Sequence, residues 1–180
     1  MAISSRIETP RLIIDPFSEK YLTPRYISWL NDPEIVKYSE QRHRQHTLES
    51  CKKYYESFAG TPNYFWAISL KDTNSHIGNL NAYVDIMNKV ADMGILLGKR
   101  AAWGKGYGLE AWRAVCDYLL GNGGIRKISA GTLALNAGML NIMIRSGMVE
   151  DGRRLRHYLV ESLEVDVLHY ALFADMRLSA

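Results

Sequence analysis

A chain of 180 residues, 47% hydrophobic and 23% charged, holds enough apolar material for one substantial core and lies in the usual range of a single domain, expected here over residues 1–180. A formal charge of +3 is too small to argue for nucleic acid, though it suits an anionic ligand. No apolar run spans a bilayer, residues 1–6 lack the apolar core of a signal peptide, and Cys51 and Cys116 stand in no metal or redox spacing, so a cytoplasmic protein without a disulfide framework is expected.

Arg11-Leu12-Ile13-Ile14 predicts a short first strand ended by Asp15-Pro16, and Thr23-Pro24 opens a helix through Ile27 and Leu30 that stops near Asn31-Asp32-Pro33. A second helix starts at Thr47, although Thr47-x-x-Ser50 lacks the acidic partner of a capping box, and continues through Tyr54 and Phe58. Cys51 lies in its polar stretch beside Lys52 and Lys53, which would lower a thiol pKa, but no catalytic partner accompanies it. Tyr64–Leu70, residues 76–86 and Val90–Leu97 read as three consecutive strands of an antiparallel meander. A helix over 107–120 places Leu109, Trp112, Val115, Cys116 and Leu119 on one face, and a strand over 125–133 follows. Asn136 caps a helix carrying Leu140, Met143 and Ile144 as far as Gly147, before strands at 148–160, irregular in its middle, and 165–173.

Between the meander and the long helix stands Trp103-Gly104-Lys105-Gly106-Tyr107-Gly108-Leu109-Glu110-Ala111, with three glycines at alternate positions. Glycine allows a tight turn and close approach of backbone to ligand, while the free N–H groups and dipole of a helix start attract anions. Strand, glycine turn and helix in that order predict a phosphate cradle, with Lys105 adding charge and a pyrophosphate-bearing ligand expected. A nucleoside-triphosphate P-loop needs a different glycine spacing followed by Lys-Ser/Thr, and a dinucleotide fingerprint needs glycine where Leu109 stands.

The segment resembles the cofactor motif of the GNAT family of N-acetyltransferases, Q/R-x-x-G-x-G/A, with Trp103 in the first position and Gly106 and Gly108 in the glycine positions. A tryptophan there, in W-G-K-G-Y-G-x-E-A, is similar to the branch that includes ribosomal-protein N-terminal and amino-sugar acetyltransferases. The predicted order β-α-α-β-β-β-α-β-α-β-β resembles the whole family fold, from Arg11-Leu12 to the last strand. That implies an α/β (α+β) architecture: a mixed, mostly antiparallel sheet of about seven strands with four helices, its fourth and fifth strands splayed to admit a pantetheine arm. The resemblance further implies acetyl-CoA as cosubstrate, with Gly104, Lys105, Gly106, Tyr107 and Gly108 around the pyrophosphate and the backbone of Ile95, Leu96 and Leu97 along the pantetheine. Trp103 either packs before the turn or forms a wall beside the cofactor.

Residues 136–148 are similar to the family pattern N-x-x-S/A-x-x-L-Y-x-K-x-G-F, with Asn136, Arg145 and Gly147 fitting. The resemblance places Asn136 at the pantetheine arm, a role compatible with capping the helix. The family's tyrosine, which protonates the departing thiolate in many members, falls on Met143, and its small position falls on Met139. Methionine cannot donate a proton, so no catalytic acid is assigned.

Attack of a neutral amine on a thioester needs a path for the amine proton and a donor for the developing oxyanion. A backbone N–H near Ile95 or Leu96 can supply the donor. Asp92, at the start of the same strand, is the candidate base; the competing reading is a strand-end carboxylate facing solvent or pairing with a lysine. His76 is a weaker base candidate, expected at the surface. Arg42 and His43, in the run between the first two helices, and Arg154 near the end of the chain either form a basic rim for an anionic acceptor or are two unrelated solvated charge runs. His43 and His46 lack a third metal ligand in sequence, and no metal is expected. The reading is a direct N-acetyltransfer to a small-molecule or peptide amine by a monomer or homodimer with no membrane partner. The alternative, motivated by the missing tyrosine, is a non-catalytic CoA- or RNA-binding module on the same fold.

Overall fold

The computed structural model describes residues 5–177 and contains eight strands: β1 (Ile7–Glu8), β2 (Leu12–Pro16), β3 (Tyr64–Leu70), β4 (His76–Asp85), β5 (Val90–Leu97), β6 (Lys127–Leu133), β7 (Val149–Val160) and β8 (Leu163–Phe173). Five α-helices accompany them: α1 (Pro24–Leu30), α2 (Pro33–Val36), α3 (Leu48–Glu56), α4 (Tyr107–Gly121) and α5 (Ala137–Arg145). The strands form one sheet in the order β1-β2-β3-β4-β5-β6-β8-β7, antiparallel except between β5 and β6. Residues 1–4, part of the stretch read above for a signal peptide, lie outside the described residues. Among those described, no helix is long and apolar enough to cross a membrane.

The class is as expected, and two counts are corrected. The additional strand, β1, pairs Ile7 with Ile14 at the sheet edge and is only two residues long, too short for any alternation to register. The additional helix arises at the expected stop. Asp32 accepts a hydrogen bond from the Glu34 amide at 3.0 Å and Pro33 takes the first helical position, so the breaker that ends α1 also starts α2. With β1 present, the splayed pair expected as the fourth and fifth strands is β5 and β6. At the start of α3 the capping box is complete without an acid: the Ser50 hydroxyl accepts from the Thr47 amide, and the Thr47 hydroxyl from the Ser50 amide.

Helices cover both faces of the sheet centre, which is why β3 reads as a continuous apolar run. Tyr64, Trp66 and Ile68 join a core with Trp112, Val115 and Leu119 of α4, while Phe65 and Ala67 face Tyr26, Trp29 and Leu30 of α1 and Cys51 of α3. Cys51 is thus a core residue, and burial pushes its thiol pKa up rather than down. On α4 the buried face begins at Gly108 instead of Leu109, which is only half-buried. A third small cluster, Leu133 with Val160, Val165 and Val167, stands where β6, β7 and β8 meet.

Candidate active site

The parallel pairing of β5 with β6 lasts three residues, Val90 with Lys127, Ala91 with Ile128 and Asp92 with Ser129. Beyond that point β5 stays paired to β4 as far as Leu97, and β6 stays paired to β8 as far as Leu133. The two strands therefore part like a fork immediately after Asp92, and the β6-facing edge of β5 carries backbone groups that no strand uses from Met93 to Leu97. Glycines hold the β5 arm in place. A Cβ at Gly98 would fall 1.9 Å from the Trp29 ring, and one at Gly78 would fall 2.4 Å from the Leu96 carbonyl oxygen. The end of β5 is thus clamped between α1 and β4.

α4 opens at the mouth of this fork. Gly108 in its first turn is wedged between Leu97 and Ile142, with 3.0 Å separating the Ile142 methyl from the place a Cβ would occupy. Gly104 and Gly106 have φ of +71° and +81°, the left-handed region where L side chains are strained. Gly106 is the N-cap residue of α4 and can offer no side-chain oxygen, so the first-turn amides keep their donors for a ligand. Arg11 fixes the loop: its guanidinium donates to the Lys105 carbonyl at 3.0 Å and to Glu110 at 2.6 Å, and lies 4.5 Å from the centre of the Tyr107 ring. Burial alone would raise the Glu110 carboxyl, but hydrogen bonds from Thr9 and Arg11 outweigh it and hold it below its ordinary range. The loop is therefore braced from the turn between β1 and β2, a role for Arg11 and Glu110 that sequence reasoning did not assign. Glycine spacing was the signal followed there, and the distant arginine carries none.

Trp103 settles as a latch. Its indole N–H donates to the Leu97 carbonyl at 2.8 Å, while 43% of the residue remains exposed. This contact occupies one of the backbone groups expected to receive a ligand; by strand alternation Ile95 still faces the fork, whereas Leu96, also expected to receive a ligand, turns its carbonyl to β4 beside Gly78. On the opposite arm of the fork, Asn136 caps α5: its side-chain oxygen accepts from the Met139 amide, and its NH2 donates to the Thr132 hydroxyl, both at 3.1 Å. Met143 is fully buried in the core beneath α4. Met143→Ala is therefore expected to lower folding stability by about 2–5 kcal/mol, without new pH dependence of turnover. Thermal melts and a pH–rate profile check this.

The other face of the fork is polar. By strand parity Asp92 shares it with Tyr83 of β4 and with Ser129 and Gly131 of β6. The Ser129 hydroxyl donates to Asp92 at 2.8 Å, and the Tyr83 hydroxyl lies 2.9 Å from that of Tyr54 on α3. Asp92 keeps one side open to solvent but is crowded on the others. Burial raises its pKa, opposed in part by the Ser129 hydrogen bond and by His169 of β8. Among the described residues no lysine pairs with it, and as an exposed residue it fits a solvent-facing strand end as well as a base. His76 is not at the surface: it sits among Tyr21, Tyr26 and Trp29, with Nε2 2.9 Å from the Asn79 side-chain oxygen and 3.0 Å from the Gly78 carbonyl. The aromatic residues of α1 that enclose it lie about fifty positions away in sequence, which is why local polarity misplaced it. Burial pushes its pKa down.

An open groove of about 410 Å³ has an apolar floor from Leu30, Pro33, Val36 and Val160. Its walls carry Lys37, Arg42, His43 and Arg44, with Glu161 on the other side. Leu30 belongs to the cluster against which Leu96 packs, and Val160 to the one that contains Leu133, so the groove floor joins these two clusters. Arg154 is not among its lining residues. β7 slips register between Arg154 and Tyr158, and the extruded residues are tied to their own hairpin by Arg153 and the Arg156 amide, both bound to Asp166. The proposed rim thus comprises Arg42 and His43, joined by Lys37 and Arg44, without Arg154.

A family model described as acetyltransferase (GNAT) domain matches residues 11–149, and the chain belongs to that family. Among solved structures it is similar to a GNAT-family acetyltransferase from Bacillus anthracis, with 20% identity, a TM-score of 0.82, and coverage of 95% of this chain and 99% of that one. It is also similar to RimL, a ribosomal L7/L12 alpha-N-protein acetyltransferase in complex with coenzyme A (16%, TM-score 0.82, coverage 94% and 98%). A spermidine N-acetyltransferase from Vibrio cholerae, in complex with CoA and spermine, superposes with a TM-score of 0.84 at 15% identity over 94% of this chain and 99% of that one. Comparison with curated proteins gives no match.

Proposed function

We propose that this chain, acting as one domain, is an acetyl-CoA-dependent N-acetyltransferase that transfers the acetyl group directly to a primary amine. The observation that carries the reading is the convergence of two features on one opening: the uncapped, glycine-lined start of α4, and the unpaired edge of β5 that begins beside a carboxylate with a raised pKa. Coenzyme A bound to RimL and to the spermidine acetyltransferase supports the same cosubstrate here. The first-turn amides of α4, with Lys105, would hold the pyrophosphate, and the β5 edge at Ile95 would pair with the pantetheine arm. Acetyl-CoA supplies the activated acyl carbon. Asp92 takes the proton shed by the attacking nitrogen, and a backbone N–H of the β5 edge meets the oxyanion.

The groove favours an acceptor whose amine is carried on an anionic frame. Among its lining residues Lys37, Arg42 and Arg44 outnumber the single Glu161, and even with Arg42 paired to Glu40 at 2.8 Å the remaining field attracts carboxylates or phosphates and disfavours polycations such as spermidine. An acetyl-transfer assay over a panel of acidic peptides, amino-sugar phosphates and polyamines tests this. Arg44→Ala is expected to raise the acceptor KM about tenfold with the acetyl-CoA KM unchanged, and Arg154→Ala to change neither. Arg42→Ala should act in the same direction as Arg44→Ala but with some loss of stability, because Arg42 also donates to the Ser39 and Leu159 carbonyls. Acetyl-CoA binding without transfer to any amine would overturn the reading in favour of a non-catalytic binding module.

A further inference from the structure

One glycine of the fork is not explained by its backbone. Gly94 lies inside β5, two residues beyond Asp92, and is not among the glycines with positive φ, so an L side chain meets no backbone strain there. What a side chain does meet is the carboxamide of Asn81, its partner on β4. The three atoms nearest to a Cβ at Gly94 are Oδ1 of Asn81 at 2.9 Å and its Cγ and Nδ2 at 3.6 Å. Glycine at this position thus lets the carboxamide lie across β5, where that strand has lost its pairing to β6. By strand parity Asn81 shares a face with Asp92, Tyr83 and Ser129. Ser129 is bonded to Asp92 and Tyr83 to Tyr54, whereas the half-buried Asn81 side chain makes no hydrogen bond among the described residues. A carboxamide offers donors and acceptors at once, and one held over a glycine at an open strand edge is placed to bind a group that arrives from outside the chain.

We propose that Asn81 positions the acceptor: its carboxamide oxygen receives a hydrogen bond from the attacking nitrogen over Gly94, and this makes the site select a primary amine over its N-methyl counterpart. The proposal deepens the acetyltransfer reading and rests on it. Asn81 and Asp92 are diagonal neighbours on paired strands with their side chains on one face, a span of about 7–8 Å between backbones. A nitrogen bonded to both side chains, at about 3 Å from each, fits that span. A neutral primary amine carries two N–H bonds. As the N–C bond forms, the C–S bond breaks and sulfur leaves with the electron pair. One proton of the nitrogen passes to the Asp92 carboxylate, while the other stays on nitrogen, bonded to Asn81, and becomes the N–H of the product amide. The thiolate takes its own proton from water. A secondary amine has a single N–H, which must go to Asp92, so it leaves the Asn81 oxygen without a donor.

The test takes the primary amine most readily acetylated among acidic peptides and amino-sugar phosphates, together with its N-methyl analogue, and measures kcat/KM for both in the wild type, Asn81→Ala and Gly94→Ala. Thermal melts and calorimetric titration with acetyl-CoA accompany it. Asn81→Ala is expected to lose about tenfold on the primary amine and little on the N-methyl one, the size of one hydrogen bond, at unchanged acetyl-CoA affinity. Gly94→Ala, which displaces the carboxamide without removing it, should act in the same direction and serves if Asn81→Ala does not fold. The double variant should lose no more than Asn81→Ala alone, since the glycine acts only through the carboxamide. A purely structural Asn81 slows both amines alike, and a merely steric one speeds the N-methyl amine; either result overturns the proposal, as do losses that multiply in the double variant. If the wild type transfers and Asn81→Ala keeps its full preference, the proposal alone falls. If the wild type binds acetyl-CoA and acetylates no amine, the acetyltransfer reading falls and takes the proposal with it.

Discussion

Asp92→Asn is expected to lower turnover by about a hundredfold or more, the usual size of a general-base contribution, with acetyl-CoA affinity preserved. Asp92 is the last residue of β5 before the sheet forks, and its carboxylate is fixed by Ser129 from the opposite strand. The amide keeps the shape and can still accept from that hydroxyl, but it cannot take a proton. If Asp92 is the base, the wild-type rate is expected to fall as the pH drops through its raised pKa, because protonation removes the base, and in the variant that limb should be absent. Stability gives a second, independent sign. Burial makes the charged form of Asp92 the less favoured one in the fold, so its contribution to stability is full below the unfolded pKa and lost as the pH rises through the folded one. Asp92→Asn is therefore expected to melt at or above the wild-type temperature at neutral pH, the difference closing in acid. Near-wild-type turnover would remove Asp92 from the mechanism and leave the proton to a water chain ending on backbone carbonyls.

What could be read from the chain depended on how local the physics was. The core strand Tyr64–Leu70 declared itself because both of its faces are covered, leaving no polar alternation to interpret. The glycine cradle was legible for the same kind of reason: positive φ at Gly104 and Gly106 is a property of single residues. Asp92 was found from its position at the start of a strand, but its surroundings were not. Ser129 reaches it only through the parallel pairing of β5 with β6, a contact 37 residues apart, and nothing in the sequence near Asp92 encodes it. Arg11 was missed likewise, being 99 positions from the Glu110 it binds. Arg154, paired opposite Val167 of β8, does not line the groove that Arg42 and His43 line, a placement set by strand pairing rather than by the local run of charge.

Gly106→Val is expected to weaken acetyl-CoA binding by about a hundredfold or more. A β-branched side chain at a φ of +81° is strained by about 1–2 kcal/mol, and its Cβ would stand 3.4 Å from the Arg11 guanidinium that braces the loop. The larger loss comes from the ligand side. Hydrogen bonds from backbone N–H groups to a charged phosphate contribute about 1.5–3 kcal/mol each, and a displaced N-cap withdraws more than one of them; at 1.4 kcal/mol per decade two such bonds already exceed a hundredfold. Gly106→Asn separates backbone strain from blocked approach. Asparagine enters the left-handed region more readily than most residues, so this variant should hold the fold while its side chain still obstructs the phosphate. Gly104→Asn is the control, since a Cβ there meets nothing within 4 Å. Calorimetric titration with acetyl-CoA, paired with thermal melts, reads all three. If folded Gly106→Asn and Gly106→Val proteins bind acetyl-CoA as the wild type does, the start of α4 does not hold the pyrophosphate, and the cradle is only a turn.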